Sequence, residues 1–387
     1  MDQGIMAKKA VVIGAGQSGR GYTARYLFEK GYEITFIDEK KELVDLLNED
    51  RAFCIHFYHM DRTPLYIHGF HACMAYSAEA DQAIAEADFV FTAVGEQNLG
   101  DVAKQLKQGM KGKAKRTVVI TCENGVNPGR VMREHMQAEK IEAPYVVSQT
   151  AIFCSTVVIR GTRLDILSQN ETYFPYDCDE FTDEFDFDGA VPIHDFEKFF
   201  KRKIYTYNCL AGLISYCGYI KGFEVYGEAA VDPDISELMD RLLAELNPCL
   251  EDYFGISKEE QAAFAQKALD KFKDQYILDY NVKNGRAPKR KLGPTERIMT
   301  PMHILIDHHK DPRIMQFVAA AALVYWNELQ GKNGEPVLEK PLMETFCEIN
   351  SLSLEDPIAQ GVEKYLKEIQ KNRKDVHIID ILYGSGR

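Results

Sequence analysis

The chain has 387 residues, too many for one compact core and suited to two domains of ordinary size. With 45% hydrophobic and 27% charged residues it falls in the globular range, which excludes a disordered or membrane-embedded chain. A net charge of −13 argues against a nucleic-acid partner, which calls for a basic face.

Residues 1–6 show no charged segment leading into an apolar core, so no signal peptide is expected, and Met6 suits a native start. The β-branched run Lys9-Ala10-Val11-Val12-Ile13 flows into Gly14-Ala15-Gly16-Gln17-Ser18-Gly19. A helical stretch through Tyr22, Leu27 and Phe28 ends at Lys30-Gly31, and a second strand, Ile34-Thr35-Phe36-Ile37, closes on Asp38. This βαβ pattern is the fingerprint of a dinucleotide site. Gly14 permits the tight turn, Gly16 lets backbone approach a pyrophosphate, and Gly19 lets helix and strand pack closely. Gln17 and Ser18 open the helix, whose unpaired N–H groups face the phosphates. Asp38 stands where a carboxylate bonds the adenine ribose 2′-OH and repels a 2′-phosphate, so NAD(H) is expected over NADP(H). An FAD site is the competing reading of such a turn.

Next comes a segment with Cys54, His56, His59, His68, His71 and Cys73, whose alternating Phe, Tyr and Ile residues predict a hairpin; a metal there lacks recognised ligand spacing. Strands are expected at Asp88–Gly95, Thr117–Cys122 and Tyr145–Val147, with helices at Gly100–Lys111 and Gly129–Ala138 between them. The alternation predicts an α/β class: a doubly wound Rossmann sheet over residues 7–190. Ligands bind at the carboxyl ends of such strands, which points to Val94, Glu123 and Asn124. The acidic run Tyr176–Asp188 reads as a solvated loop or hairpin, and no metal is expected in the chain. After Pro192 the pattern is helical (Asp195–Lys221, Ile235–Tyr253, Lys258–Leu278, Asp311–Gln330, Ile358–Gln370), predicting a mostly α-helical second domain over 191–387. The apolar run Phe317–Trp326 is about half the length of a bilayer span. Nine scattered cysteines without a CxxC pair fit a reducing, cytoplasmic setting.

Several motifs together resemble the polyol-specific long-chain dehydrogenases, the mannitol dehydrogenase family, in its mannitol-1-phosphate branch. They are Gly14–Gly21, Phe36-Ile37-Asp38, Thr92–Gly95, Cys122-Glu123-Asn124, Arg202–Asn208 and Arg286–Leu292, with Arg297 and Pro301 after. The resemblance implies a Rossmann domain followed by a helical domain, NAD as cofactor, no catalytic metal, and a sugar or sugar-phosphate substrate exchanged with its polyol. No nucleic-acid or membrane partner is implied, and monomer and dimer both stay open.

By that resemblance Lys203 is the general acid/base and Asn208 the oxyanion donor, while Ala211 stands where the family carries a histidine. On a regular helix these three fall at about 0°, 140° and 80°. A working lysine needs its pKa lowered by burial or a neighbouring cation; without the resemblance, Lys203 reads as an exposed charge on a basic helix start. Gln149 takes the place of a second oxyanion asparagine, and Phe153 and Cys154 replace an Asp-Arg pair. His194, His303, His308 and Tyr205 are candidates to supply the missing imidazole's role. The basic segment from Lys283 to Lys291 offers Arg286, Arg290 and Lys291 to an anionic substrate, a hexose phosphate or a uronate; a solvated loop is the alternative. A NAD(H)-binding regulatory relative without turnover is the competing function.

Overall fold

The computed structural model describes residues 7–125 and 127–384, so the N-terminal segment read above for a signal peptide lies outside the described residues. Strand β1 (Lys9–Ile13) is buried almost throughout, as a central parallel strand covered on both faces must be. It is followed by β2 (Glu33–Asp38), β3 (Ala52–Phe57), β4 (Leu65–His68), β5 (His71–Met74), β6 (Phe89–Thr92), β7 (Thr117–Thr121) and β8 (Tyr145–Gln149). Six of these form one parallel sheet in the order β5-β2-β1-β6-β7-β8, with Val12 opposite both Phe36 and Phe91. The period of two along each strand divides the core into two layers. Val12, Phe36, Phe91 and Ile120 pack on one face, and Val11, Ile37, Val90 and Val119 on the other. The chain winds outward in opposite directions from β1, which opens a crevice at the carboxyl ends of β1 and β6. The expected doubly wound sheet is therefore present.

The same unit contains β9 (Thr156–Val158), β10 (Ile166–Ser168), β11 (Phe174–Asp177) and β12 (Ala190–Ile193). A second sheet has the order β4-β3-β10-β9, while β11 and β12 form a parallel pair. Two expectations are corrected here. The histidine segment is not one hairpin: β3 and β4 pair antiparallel, but β5 joins the large sheet beside β2, so His71 and Cys73 part company with His56 and His68. Gly69, with φ near 73°, turns the chain from one sheet to the other. The acidic run is likewise neither a solvated loop nor a hairpin, since β11 and β12 on either side of it pair parallel. Tyr176, Phe181, Phe185 and Phe187 are buried with Tyr22, Tyr26 and Phe174, while the acids from Asp179 to Asp188 are exposed and Asp177 is buried. Ring pairs such as Tyr176–Phe185 at 4.8 Å make this an aromatic core, the larger apolar area outweighing the local charge.

The chain divides into two compact units, residues 1–200 and 201–387. The second is helical among its described residues. Its long helices are Cys209–Lys221, Pro233–Phe254, Lys258–Lys273, Arg313–Leu329 and Pro357–Lys371. Their starts follow capping chemistry: Asp232, Ser257 and Asp356 each accept a backbone N–H of the first turn, and Pro233 and Pro357 sit at the first helical position. Helix Arg313–Leu329 runs through the middle, with every residue from Phe317 to Trp326 buried. No described helix is long and apolar enough to cross a membrane.

Candidate active site

The glycine loop follows from steric necessity. Gly14 has φ of 96°, and a Cβ there would lie 2.4 Å from the Ala93 carbonyl oxygen. A Cβ on Gly19 would lie 2.0 Å from the Gly14 carbonyl oxygen, so the turn and the helix start can meet only as glycines. Gly16 differs: nothing stands within 4 Å of where its Cβ would be, an open place for a phosphate against bare backbone. Gln17 and Ser18, half-buried, open the helix, which passes at once into a π-helical turn, Gly19–Thr23, closed by the Ala24 N–H on the Gly19 carbonyl. Buried Arg20 braces the loop by donating to the Ala15 carbonyl.

Asp38, at the end of β2, accepts from the Ala15 N–H at 2.8 Å through one oxygen and from the Lys40 N–H at 2.9 Å through the other. Beside it a cavity of about 300 Å³ is lined by Gly14, Gly16, Asp38, Tyr76 and Val94. Tyr76, at φ of 61°, is pinned at both ends: its N–H donates to Gln105 at 2.8 Å and its hydroxyl to the Asp101 carbonyl at 3.1 Å. An open glycine cradle, a fixed carboxylate and a half-apolar cavity are the donor set that the adenosine and pyrophosphate of NAD require.

The far side of the crevice is set by Glu123. It is buried, and its carboxylate accepts from Thr92 Oγ1 (2.8 Å), Val94 N (2.9 Å) and Gly95 N (2.8 Å). Burial holds its carboxyl above the ordinary value, and these three donors offset only part of that rise. Glu123 thus acts by bracing the loop after β6, whereas Asn124 beside it is exposed. Gln149 is buried with both ends of its amide engaged: Oε1 accepts from Gly129 N at 3.0 Å and Nε2 donates to Asp177 at 3.0 Å. The structure thus ties it into the end of β8. Phe153 packs on Tyr173 and Phe199, and Cys154 Sγ lies 3.2 Å from Ser168 Oγ.

In the second unit, Lys203 ends an α-helical stretch, Phe196–Lys203, and is 3% exposed. A π-helical turn, Ile204–Asn208, follows before the helix resumes at Cys209, whose N–H returns to the Ile204 carbonyl. This corrects the regular-helix angles expected above. The turn absorbs one extra residue, so Asn208 falls about 40° from Lys203 rather than about 140°. Of residues 202–218 only Asn208 and Ala211 are not buried, so these two form one half-open stripe. The Asn208 amide has no hydrogen-bond partner among the described residues.

Lys203 is not the exposed charge that its basic neighbourhood suggests. Burial, then Lys271 and Arg297, push its ammonium down to about 7. Arg202 contributes nothing to this, because it turns to Gln261 (3.0 Å) and Glu260 and stacks over Phe264 at 4.3 Å. Arg297 is itself buried. Its stem lies against Gly212, 3.6 Å from where a Cβ would be, and its Nε pairs with Glu296 at 3.1 Å. Burial works against the Glu296 carboxylate, yet Arg297 and Arg290 hold it below its ordinary value.

The basic segment separates into parts. Arg286 is exposed and donates to the Lys283 carbonyl at 3.1 Å, and Arg290 is exposed and pairs with Glu296. Lys291 alone of the three is buried, donating to the Asn284 carbonyl, with its ammonium pushed well down by burial and then by Arg297 and Arg290. Lys203, Lys291 and Arg297 are thus buried cations, and Glu296 is the buried carboxylate acting on the last two. Sequence reasoning missed Lys271 and Glu296. Lys271 sits among the charges of an amphipathic helix, with no local signal of its role. Glu296 lies one residue before an arginine already singled out. Of the imidazole candidates, His308 is held by the Ile304 carbonyl and Asp252, His194 by Asp179, and Tyr205 stacks on Phe254; His303 is half-buried on helix Met299–Asp307.

Comparison with known proteins bears on both units. The mannitol dehydrogenase Rossmann domain matches residues 8–183, and the mannitol dehydrogenase C-terminal domain matches residues 195–380. A mannitol-1-phosphate 5-dehydrogenase of Arthrobacter sp. (strain FB24) is 28% identical over 382 residues, covering 95% of this chain and 100% of the relative. One from Shouchella clausii (strain KSM-K16) is 29% identical over 376 residues, covering 92% and 100%. Among solved structures, Pseudomonas fluorescens mannitol 2-dehydrogenase in ternary complex with NAD and D-mannitol superposes with a TM-score of 0.76 at 15% identity. It covers 95% of this chain and 92% of that one, a likeness of fold.

Proposed function

The chain belongs to the mannitol dehydrogenase family, and from that premise we propose that it is an NAD(H)-dependent oxidoreductase interconverting a sugar phosphate and its polyol, mannitol 1-phosphate and fructose 6-phosphate being the first pair to test. The observation that carries this reading is Lys203, catalytic by the family resemblance, whose burial, then Lys271 and Arg297, lower its pKa to about 7. A general acid/base works best with its pKa near the operating pH.

NAD supplies a hydride acceptor at the nicotinamide, and its reduced form a hydride donor. Gly16 would leave room for the pyrophosphate, in a loop that Gly14 and Gly19 allow to close, with the N–H groups of Gln17 and Ser18 available to it, and Asp38 would bond the adenine ribose. Val94, Glu123 and Asn124 would border the cofactor's nicotinamide end. In polyol oxidation the Lys203 amine takes the hydroxyl proton as hydride leaves the same carbon; in ketose reduction its ammonium returns a proton to the carbonyl oxygen. Asn208 donates its amide to that oxygen as negative charge develops there. Arg286 and Arg290, exposed on the basic segment, with buried Lys291 and Arg297 behind them, favour an anionic substrate. Ala211 leaves space on its helix where a histidine would stand, and Gln149 is held at the end of β8 by Asp177. Nine free thiols suit a reducing compartment such as the cytoplasm.

A second reading, a NAD(H)-binding regulatory protein without turnover, is favoured by Ala211 and by Phe153 and Cys154 in place of polar groups. NADH oxidation by the purified protein, followed by absorbance with fructose 6-phosphate beside fructose and fructuronate, separates the readings. Turnover that requires the phosphate supports the sugar-phosphate reading, and preference for fructuronate moves the substrate to a uronate. Tight NADH binding with silence on all three supports the regulatory reading.

A further inference from the structure

Strands β11 and β12 run parallel in register, with Asp177 opposite Ile193. The next residue along each strand is therefore Cys178 beside His194, and the Cys178 N–H donates to the Ile193 carbonyl at 3.2 Å. Cys178 Sγ lies 3.5 Å from His194 Nδ1, and Asp179 Oδ1 lies 2.5 Å from the same nitrogen. The other Asp179 oxygen accepts from Asp195 N at 2.8 Å, and Asp195 itself has a φ of 48°. The three potential ligand atoms, one each from a thiol, an imidazole and a carboxylate, all fall within 4.8 Å of one another.

These are the donor types zinc takes at about 2.0–2.3 Å, and a sulfur and a nitrogen on one tetrahedral zinc stand about 3.5 Å apart. We propose that Cys178, Asp179 and His194 form a three-ligand site for a divalent transition ion of the zinc class, with a fourth position open to water. A thiolate and a carboxylate neutralise the dication, and the imidazole adds a third donor without charge. The ion replaces the hydrogen bond by which His194 now leans on Asp179. None of the three residues lines the cofactor cavity, so the site is independent of the dehydrogenase reading. Its role is a clip: it fastens the ends of β11 and β12 on either side of the aromatic loop that fills the core beneath.

The test uses the full chain, stripped with chelator and titrated with Co²⁺ alone, with absorbance for sulfur-to-cobalt charge transfer and a thermal melt in parallel. A single equivalent should bind with a charge-transfer band, yield to Zn²⁺, and raise the melting temperature. Cys178→Ser should lose the band, and His194→Gln should weaken binding on the order of tenfold or more. Both positions are at least partly exposed, so neither change threatens the fold. A parent without the band, a band at full strength in Cys178→Ser, or unchanged affinity in His194→Gln overturns the proposal.

Discussion

Asp38 and Lys203 are charged groups that this fold holds in opposite ways. Asp38 stands at the rim of a cavity with two backbone N–H groups bonded to its carboxylate. Lys203 is buried, with Lys271 and Arg297 as electrostatic neighbours that oppose its charge. The first arrangement fixes the two carboxylate oxygens at the cavity rim. The second destabilises the ionised group. Backbone donors therefore hold a carboxylate at low cost, whereas burying an ammonium beside other cations stores unfavourable energy that the rest of the helical unit must offset.

The comparison predicts different outcomes when each group is removed. The largest effect is expected for Lys203→Met, which keeps the volume and deletes the amine. Turnover should fall by about 10²–10⁴-fold with NADH affinity unchanged. Stability should not suffer. The folded-state pKa of Lys203, about 7, lies below the ordinary 10.5, so the folded chain binds fewer protons between those values. The cost of burying Lys203 is thus full below pH 7 and fades as pH rises through that window. A thermal melt at pH 6.5 should place the variant at or above the parent; a marked drop would make Lys203 a structural residue.

Asp38→Ser is expected to act on binding alone. NADH affinity should weaken by about tenfold, the worth of one charge-assisted hydrogen bond, while discrimination against NADPH shrinks. Fluorescence titration with both cofactors measures this, and unchanged discrimination would remove Asp38 from the ribose site. The smallest change is expected for Lys271→Gln. With one opposing cation gone, the midpoint of the pH–rate profile should move to alkaline pH by about one unit. A shift to acid pH, or none, would mean that Lys271 does not act on Lys203.

The same contrast explains what could be read in the sequence. The glycine loop, β2 and Asp38 form a local unit, so spacing alone placed them, and the parallel sheet followed from alternating strand and helix patterns. The helical unit was legible in its elements for the same reason: capping residues and apolar periodicity act over a few residues. The state of Lys203 was not legible. It depends on Lys271 and Arg297, far away in sequence, and on a π-helical turn that no local signal announced. The acidic run misled for a related reason: its charges are conspicuous in the sequence, while the aromatic residues between them decide where it packs. Gln149 shows a further limit, since a residue type suited to substrate can be spent on Gly129 N and Asp177.

The most direct test of the account is the pH dependence of polyol oxidation by the full chain, with NAD⁺ saturating and the polyol phosphate identified by the assay above. Oxidation needs the neutral amine, so the rate should rise through a midpoint near pH 7 and level off above it, and ketose reduction, which needs the ammonium, should fall through the same midpoint. A midpoint near the ordinary lysine value, or a profile that keeps its shape in Lys203→Met, would contradict the claim that a buried, cation-flanked Lys203 carries the proton.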